Sequence, residues 1–426
     1  MIPNLFAGPG GWCAGLRLAG YGGPTVGIEW DDAACRTGIA AGHPRIRADV
    51  STFDPSVFAG LADGLIASPP CQAWSMAGDR KGELDREKVY ERIAAFAAER
   101  EPDVVEWADD RSHLTAEPMR WAVALNPRWI ACEQVPAVLP LWQYMAELLR
   151  KRGYRTWAGI LSAEEYGVPQ TRKRAILVAR RDGLPAGPPP PTHQAYRAGQ
   201  TIGTEPSLFG DPLPPPVSMA DALGWPDSWS VEYQRGRGMA ERHGERPHRP
   251  ATAPGPTIRA GSGGTGTSLL VHMAPAGASS RMVEPRPITE PGHTITGKAT
   301  AAWVMRNSPQ CNAAERSANE PAGTIYGARP GNMTWVHERP ATTVQGDPRI
   351  GRPGHKDRAG GESQFEQDSV RVTVQEAAVL QSFPAGYPWQ GNKSEQYRQI
   401  GDAVPPLLAA AILRTLLAVG TGEAAA

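Results

Sequence analysis

Two short stretches of this chain hold the makings of covalent chemistry: Ser68-Pro69-Pro70-Cys71-Gln72 and Glu133-Gln134-Val135. Each follows a brief apolar run, residues 65–67 and 129–132, which read as buried strands. Pro69 and Pro70 cannot continue a sheet ladder, so the first strand stops there and Cys71 is left at its carboxyl end. In an open α/β sheet that is the edge where ligands bind. An ionised cysteine on that rim is a nucleophile. A glutamate ending another strand on the same rim can hold or deliver a proton. Cys71 alone divides evenly between nucleophile and small buried hydrophobe. Glu133 reads as a surface carboxylate until Cys71 is placed beside it.

A second set of residues lies toward the amino terminus. Phe6-Ala-Gly-Pro-Gly-Gly11 joins a predicted strand, 2–6, to a helix that runs to about residue 19 and is closed by Gly20 and Gly22. A glycine-rich turn there lets a ligand come close to the backbone. Gly8, Gly10 and Gly11 do not follow the dinucleotide spacing, so the turn suits a nucleoside cofactor of another kind, or is simply tight. Glu29-Trp30-Asp31 ends the next strand, 25–28, roughly 20 residues past the glycines, where a carboxylate meets ribose hydroxyls. Trp30 can stack on a purine or pack like any large aromatic. Asp49 and Val50 end the third strand; Asp49 can accept from an exocyclic amine or serve as a cap. Three such strand ends in succession favour a cofactor pocket over three coincidences. Further on, Gln170, Arg172 and Arg174 share one face of a strand-like run. That face either aims two guanidinium groups at an anion or forms a solvated basic edge.

The elements that must position these groups alternate strand and helix over residues 1–183, the pattern of a doubly wound α/β domain. Helices are predicted at 79–100, with its charges as a solvated face, and at 114–125 and 138–152; a strand is predicted at 154–161. Two more helices, 373–383 and the strongly apolar 405–419, close the chain. With 426 residues there is material for two domains with proper cores. Lys and Arg (44) balance Asp and Glu (44), so any nucleic-acid surface must come from the local distribution of charge. Cysteines 13, 35, 71, 132 and 311 form no CxxC pair and no regular framework, against a structural zinc site or a disulfide scaffold. No basic-then-apolar leader is present and no apolar run approaches the roughly 20 residues of a membrane span, so a soluble cytoplasmic protein is expected.

Residues 184–367 differ in character. Prolines 188–191 and 214–216 read as linker. A loose repeat follows: Pro254-Gly-Pro-Thr-Ile258, Pro291-Gly-His-Thr-Ile295, Pro321-Ala-Gly-Thr-Ile325 and the shorter Arg339-Pro-Ala-Thr-Thr-Val344. Each copy reads as a turn and a short strand, and the cations here are nearly all arginine, suited to phosphates and guanine edges.

Taken in order, these blocks resemble the DNA (cytosine-5) methyltransferases of prokaryotic and phage type, which use S-adenosylmethionine. The resemblance rests on Phe6-Ala-Gly-Pro-Gly-Gly11, Gly27-Ile-Glu-Trp30, Ala48-Asp-Val50, Ser68-Pro-Pro-Cys-Gln72, Glu133-Gln-Val135 and Gln170-Thr-Arg-Lys-Arg174. It continues downstream in Arg371-Val-Thr-Val-Gln-Glu-Ala-Ala-Val-Leu-Gln-Ser-Phe-Pro384 and Gln399-Ile-Gly-Asp-Ala-Val-Pro-Pro406. Together they frame nearly the whole chain. Two positions depart: Gln134 stands where the family usually has Asn, and Asp402 also replaces a usual Asn, adding a charge and losing an amide donor.

The resemblance implies an α/β fold: a Rossmann-like S-adenosylmethionine-dependent methyltransferase domain (1–183) with a smaller, β-rich and loop-rich target-recognition domain (184–367). A segment (368–426) would return to the first domain. It implies methyl transfer to C5 of a cytosine flipped out of a specific short DNA sequence. Cys71 would add to C6 and Glu133 protonate N3, with Arg172 and Arg174 nearby. Phe6, Gly8, Gly10, Gly11, Glu29, Trp30, Asp49, Val50, Pro70, Asp402 and Ala403 would contact the cofactor, and Ser68, Gln72 and Gln170 the substrate, with no metal. The implied partner is double-stranded DNA, met by a monomer without a membrane, and there is room for a cognate restriction endonuclease in the same system. Three alternatives stay open: a tRNA-methylating member, a catalytically inactive nucleic-acid-binding homologue and, last, a small-molecule methyltransferase.

Overall fold

Four apolar strands come together in the middle of the chain's amino-terminal half because each is hydrophobic on both faces. β1 (Ile2–Leu5), β4 (Gly64–Ala67) and β5 (Trp129–Gln134) are buried along their whole length, and β2 (Thr25–Glu29) is buried at its centre. That is the mark of parallel strands covered by helices on both sides. The computed structural model describes residues 1–74, 81–196, 213–223 and 373–418, together with short strands between 304 and 371. With β3 (Arg45–Arg47), β6 (Arg155–Ser162) and β8 (Lys173–Arg180), these strands form a seven-stranded sheet of order β3-β2-β1-β4-β5-β8-β6. β3 through β5 run parallel, and β8 is antiparallel to both of its neighbours. The sheet is the Rossmann-like α/β arrangement expected from the alternation of elements.

Successive side chains of a strand face opposite layers. Leu65 therefore joins Val89, Ile93, Trp121 and Trp142 in one core, while Ile66 joins Trp12, Trp129, Leu408 and Ile412 in the other. The first layer is covered by α3 (Gly82–Ala97), α4 (Glu117–Leu125) and α5 (Leu139–Lys151). The second is covered by α1 (Gly11–Leu18) and, from the far end of the chain, by α9 (Pro406–Leu417), while α2 (Asp32–Ala40) leads from β2 to β3. A Cβ on Gly15 would lie 2.5 Å from the Ala409 Cβ, so α1 and α9 meet with no side chain between them. Burial explains why this carboxyl-terminal stretch is apolar enough to cross a membrane by composition alone: it is mostly enclosed in the fold.

Several expected boundaries move. β5 runs two residues past residue 132, so Glu133 and Gln134 lie in the strand itself. β3 ends at Arg47, so Asp49 sits in the turn beyond it. The helix expected at 114–125 is a 3₁₀ turn, Ser112–Ala116, followed by α4. The charges of α3 are not all a solvated face: Asp85 is fully buried and accepts from Ala108 N, Asp109 N and Ser112 Oγ at 2.7–3.0 Å. α2 and α8 (Lys393–Asp402) were not apparent from periodicity, because both are short, α2 is built largely of small residues and α8 is polar; their caps, Asp31 and Asn392, define them instead.

The proline run near 190 is docked, not loose. Tyr166 Oη donates to Pro189 O at 3.0 Å, and the amides of Thr192 and His193 donate to Glu165 O at 2.9 and 3.0 Å. Beyond it lie a short α6 (Met219–Leu223) and the strands β9 (Val304–Arg306), β11 (Thr334–Val336) and β12 (Ser369–Arg371), an antiparallel set ordered β12-β11-β9. In the third repeat copy, β10 (Ala322–Gly323) pairs in parallel with β7 (Gln170–Thr171). The copies beginning at Pro254, Pro291 and Arg339 lie outside the described residues. Finally, α7 (Val374–Leu380) opens on a capping box between Thr373 and Glu376.

Candidate active site

A cavity of about 520 Å³ opens at the carboxyl ends of β1, β2, β4 and β5. The glycine turn forms its floor. Phe6 and Gly8 both hold positive φ (55° and 53°), a costly conformation for Phe6 that recurs at functional sites. A Cβ on Gly8 would meet no atom within 4 Å, and the Gly8 amide donates to Glu29 Oε2 at 2.8 Å. Glu29 Oε1 accepts from the amides of Trp30 and Asp31, both at 2.9 Å. Burial pushes the Glu29 carboxyl upward while these amides oppose the shift. Trp30 stands 73% exposed on the rim. Asp49 lines the wall, its Oδ1 occupied by Ser51. Phe6, Gly11, Val50, Pro70, Ala403 and Asp402 complete the expected cofactor set within the lining.

Gly10 is the exception. A Cβ there would meet His43 Cδ2 at 2.7 Å and Tyr387 Oη at 2.9 Å, so Gly10 faces protein and not the cavity. Its glycine is required by a φ of 116° and by the approach of Tyr387, whose hydroxyl donates to Pro9 O at 2.7 Å.

At the other end of the cavity, Cys71 is partly buried after Pro70. Its loop is tied down on several sides. Trp12 Nε1 donates to Ser68 Oγ at 2.8 Å, and Gln134 Nε2 donates to Pro69 O at 2.6 Å. Trp74, fully buried, donates through Nε1 to Thr115 Oγ1 at 2.9 Å. Glu133 faces Arg174, with Nε 2.8 Å from Oε1 and both side chains 6% exposed. Burial pushes the Cys71 thiol up to about 12; the Asp402 carboxylate adds to this, Arg174 and Arg172 oppose it, and Glu133 adds again. At neutral pH the thiol is therefore protonated.

The face shared by Gln170, Arg172 and Arg174 is real, since all three are buried, but only Arg174 reaches the cavity. Gln170 Nε2 donates to Gln381 Oε1 at 2.7 Å, and Gln381 Nε2 to Ala403 O at 2.6 Å. Arg172 Nη2 donates to the carbonyls of Gly401 (2.9 Å) and Ala403 (3.2 Å). Gln170 and Arg172, expected as a substrate contact and a catalytic residue, are thus bonded in this structure to the segment at the end of α8 that carries Asp402. Ser68 and Gln72 do line the cavity.

Sequence reading missed Arg111, His113, Arg398 and Gln399 among the lining residues. The segment bearing Arg111 and His113 is pulled into place by Asp85, whose burial no helical pattern reveals. Arg398 pairs with Asp31 at 2.8 Å, joining α8 to the start of α2. It stands one residue before the downstream Gln399 block, which was the available signal.

Around the cavity, six lining carboxylates (Glu29, Asp31, Asp49, Asp110, Glu133, Asp402) face three lining guanidinium groups (Arg111, Arg174, Arg398). Two further lining atoms, Gln72 Oε1 and Gln399 Oε1, are buried acceptors with no partner among the described residues. An acidic cavity with orphaned acceptors fits a ligand that is cationic and rich in N–H and O–H donors. S-adenosylmethionine, with its sulfonium, ammonium and ribose hydroxyls, is such a ligand.

The family model for the C-5 cytosine-specific DNA methylases matches residues 1–107, 105–212 and 291–418. The chain belongs to that family. With the family comes its enzyme class, a methyltransferase acting on C5 of cytosine, and its general use of S-adenosylmethionine. Among similar proteins, the type II methyltransferase M.AgeI of Thalassovita gelatinovora is 26% identical, with 97% of this chain and 98% of that protein aligned. The type II methyltransferase M1.HphI of Haemophilus parahaemolyticus is 25% identical over 99% of this chain and 87% of that protein. A solved structure of the S. pombe Dnmt2 methyltransferase is 15% identical, with 98% of each chain covered and a TM-score of 0.45.

Proposed function

We propose that this C-5 cytosine-specific DNA methylase transfers a methyl group from S-adenosylmethionine to C5 of a cytosine within one short sequence of double-stranded DNA, by way of a covalent Cys71 adduct. The observation that carries the reading is a single cavity that receives Cys71, the Glu133–Arg174 pair and the Gly8, Glu29, Trp30, Asp49 wall together.

C5 of a stacked base cannot be reached by a group fixed at the bottom of a cleft, so the cytosine must leave the duplex. Cys71, once its proton is lost, forms a bond from Sγ to C6. The C5–C6 π electrons then flow toward C5 as N3 takes a proton from the Glu133 side of the cleft. Arg174 occupies Glu133 Oε1 and so fixes the carboxyl group against the base. Bound cofactor supplies an electrophilic methyl carbon. Loss of the C5 proton to water then restores the C5–C6 double bond and expels Cys71 as thiolate, while N3 returns its proton to Glu133. Displacement of water from the cleft by the bound base and cofactor would strengthen each of these charge interactions.

Residues 184–367 serve as the target-recognition region in this reading, and their arginines meet phosphate and guanine. The same reading takes the chain to work on DNA in the cytoplasm as a monomer. A cognate endonuclease cutting the same sequence would complete a type II system.

The decisive experiment is base-resolution 5-methylcytosine sequencing of DNA from a methylation-free host expressing the chain. Methylation confined to one short motif is expected, and it should disappear with Cys71→Ser. An unmethylated genome in the presence of soluble wild-type protein would overturn the reading.

A further inference from the structure

Asp402, the last residue of α8, is held firmly at the edge of the cleft. The carbonyls on either side of it, Gly401 O and Ala403 O, both accept from Arg172 Nη2, and Ala403 O accepts again from Gln381 Nε2. These bonds are buried and fix the end of α8, which keeps the carboxylate from withdrawing. The side chain opens onto the cavity, where its hydrogen-bond partner is Gln72 Nε2 at 3.5 Å. Gln72 adjoins Cys71, so the carboxylate stands at the end of the cleft where methyl transfer takes place. Where the family usually presents a neutral amide, this chain presents a negative charge.

We propose that Asp402 is a specificity-determining residue of the cofactor site, making the cleft prefer the cationic methyl donor over the neutral thioether left after transfer. The inference rests on the cofactor reading proposed above. The physical basis is simple: donor and product differ by one unit of charge at sulfur, and a carboxylate fixed beside the bound ligand distinguishes them. An amide in the same place has a dipole but no charge and discriminates less. Preference for the donor limits inhibition by accumulated product.

The charged groups around Asp402 set its pH window. Arg172 and Arg174 from the β7–β8 run and Arg398 from its own helix favour the carboxylate, while Glu29 from the end of β2 opposes it. Cys71 faces it from the β4 loop and is protonated at neutral pH. The side chain is exposed at the cavity, and desolvation by the protein around it is the largest influence, raising the carboxyl to about 6. Above that pH the charge is present; below it the charge, and the discrimination with it, is lost.

The test is calorimetric titration of the full-length protein with S-adenosylmethionine and with S-adenosylhomocysteine, at pH 7.5 and pH 5. For the wild type, the ratio of the two dissociation constants should favour the donor about ten-fold more at pH 7.5 than at pH 5. Asp402→Asn, nearly isosteric, should bind both ligands with a low ratio that does not change with pH. A variant ratio equal to that of the wild type, or a wild-type ratio flat across the two pH values, overturns the role of Asp402 and leaves the cofactor assignment standing. Failure of the wild type to bind either ligand overturns both. The pH series on the wild type decides the matter even if the variant does not fold.

Discussion

Arg174 Nε lies 2.8 Å from Glu133 Oε1, and the two side chains are sealed from solvent to the same degree. Their strands, β5 and β8, are antiparallel neighbours in the sheet. The antiparallel strand thereby delivers a cation to a carboxylate on the parallel half of the sheet. Removing one partner of a buried pair leaves an uncompensated charge, which typically costs about 3–5 kcal/mol. Arg174→Ala should therefore lower the thermal midpoint sharply as well as abolish methyl incorporation. Glu133→Gln keeps the shape and loses the acid. It removes the counter-ion of Arg174 but keeps an oxygen to accept its N–H, so it should be destabilised less than Arg174→Ala, and it should lose about 10²–10⁴ in kcat with the KM for DNA little changed. Steady-state methyl incorporation beside a thermal melt separates these outcomes; wild-type kcat in Glu133→Gln would remove Glu133 from the chemistry.

Cys71 carries a second prediction, on the proton it must lose. Because its thiol is held up near 12, folded protein at pH 8 should be alkylated at Cys71 far more slowly than a free thiol, with the rate rising as pH climbs toward that value. Asp402 contributes to this elevation, so Asp402→Asn should speed alkylation at pH 8 by about three-fold. Peptide mass mapping against time distinguishes Cys71 from the buried Cys13, Cys35 and Cys132. An alkylation rate at Cys71 equal to that of the unfolded chain would show the thiol to be unprotected. Cys71→Ser should retain cofactor binding and lose turnover entirely.

Two glycines of one turn should fail in different ways. Gly8 has empty space where a Cβ would go but a φ of 53°, so Gly8→Ala incurs a left-handed backbone cost of about 1–2 kcal/mol and projects a methyl toward the cavity. Its main effect should be weaker cofactor binding. A Cβ on Gly11 would lie 2.1 Å from Val404 O, in the segment that returns from the carboxyl terminus. Gly11→Ala must push that segment off α1 and should cost about 1–3 kcal/mol of stability. Urea unfolding and cofactor titration of the two variants check the contrast. Equal losses of stability in both would argue against it.

The succession of strands along the chain and the placement of Cys71, Glu133 and Glu29 toward their carboxyl ends were legible because each closes or follows a short apolar run. Pro69 and Pro70 mark the clearest end of such a run. What was not legible depended on burial that a polar residue gains only from distant partners. Asp85 reads as one charge among many on α3, yet it organises the wall that bears Arg111. Gln170 and Arg172 were read by the face they share, correctly, but a face specifies direction and not depth. The seam they enter exists only because residues 381–403 return from more than 200 positions away. α8 was invisible for a related reason: its sequence has no apolar stripe, and Asn392 with Glu395 starts it through a capping box.

Arg172 and Gln170 yield the last prediction, which separates holding a turn from touching a substrate. Arg172→Ala would leave Gly401 O without its Arg172 donor and Ala403 O with one donor fewer, and an unsatisfied buried carbonyl costs about 1–3 kcal/mol. Gln170→Ala would leave Gln381 Oε1 without its donor and cost about the same. Both variants should unfold at lower denaturant concentration. Both should also bind S-adenosylmethionine more weakly, since Asp402 and Ala403 lose their support. Once cofactor saturates the site, kcat should recover to within a few-fold of wild type, because neither side chain lines the cavity. A variant of normal stability whose kcat stays about 10²-fold low at saturating cofactor would instead place that residue at the reacting base.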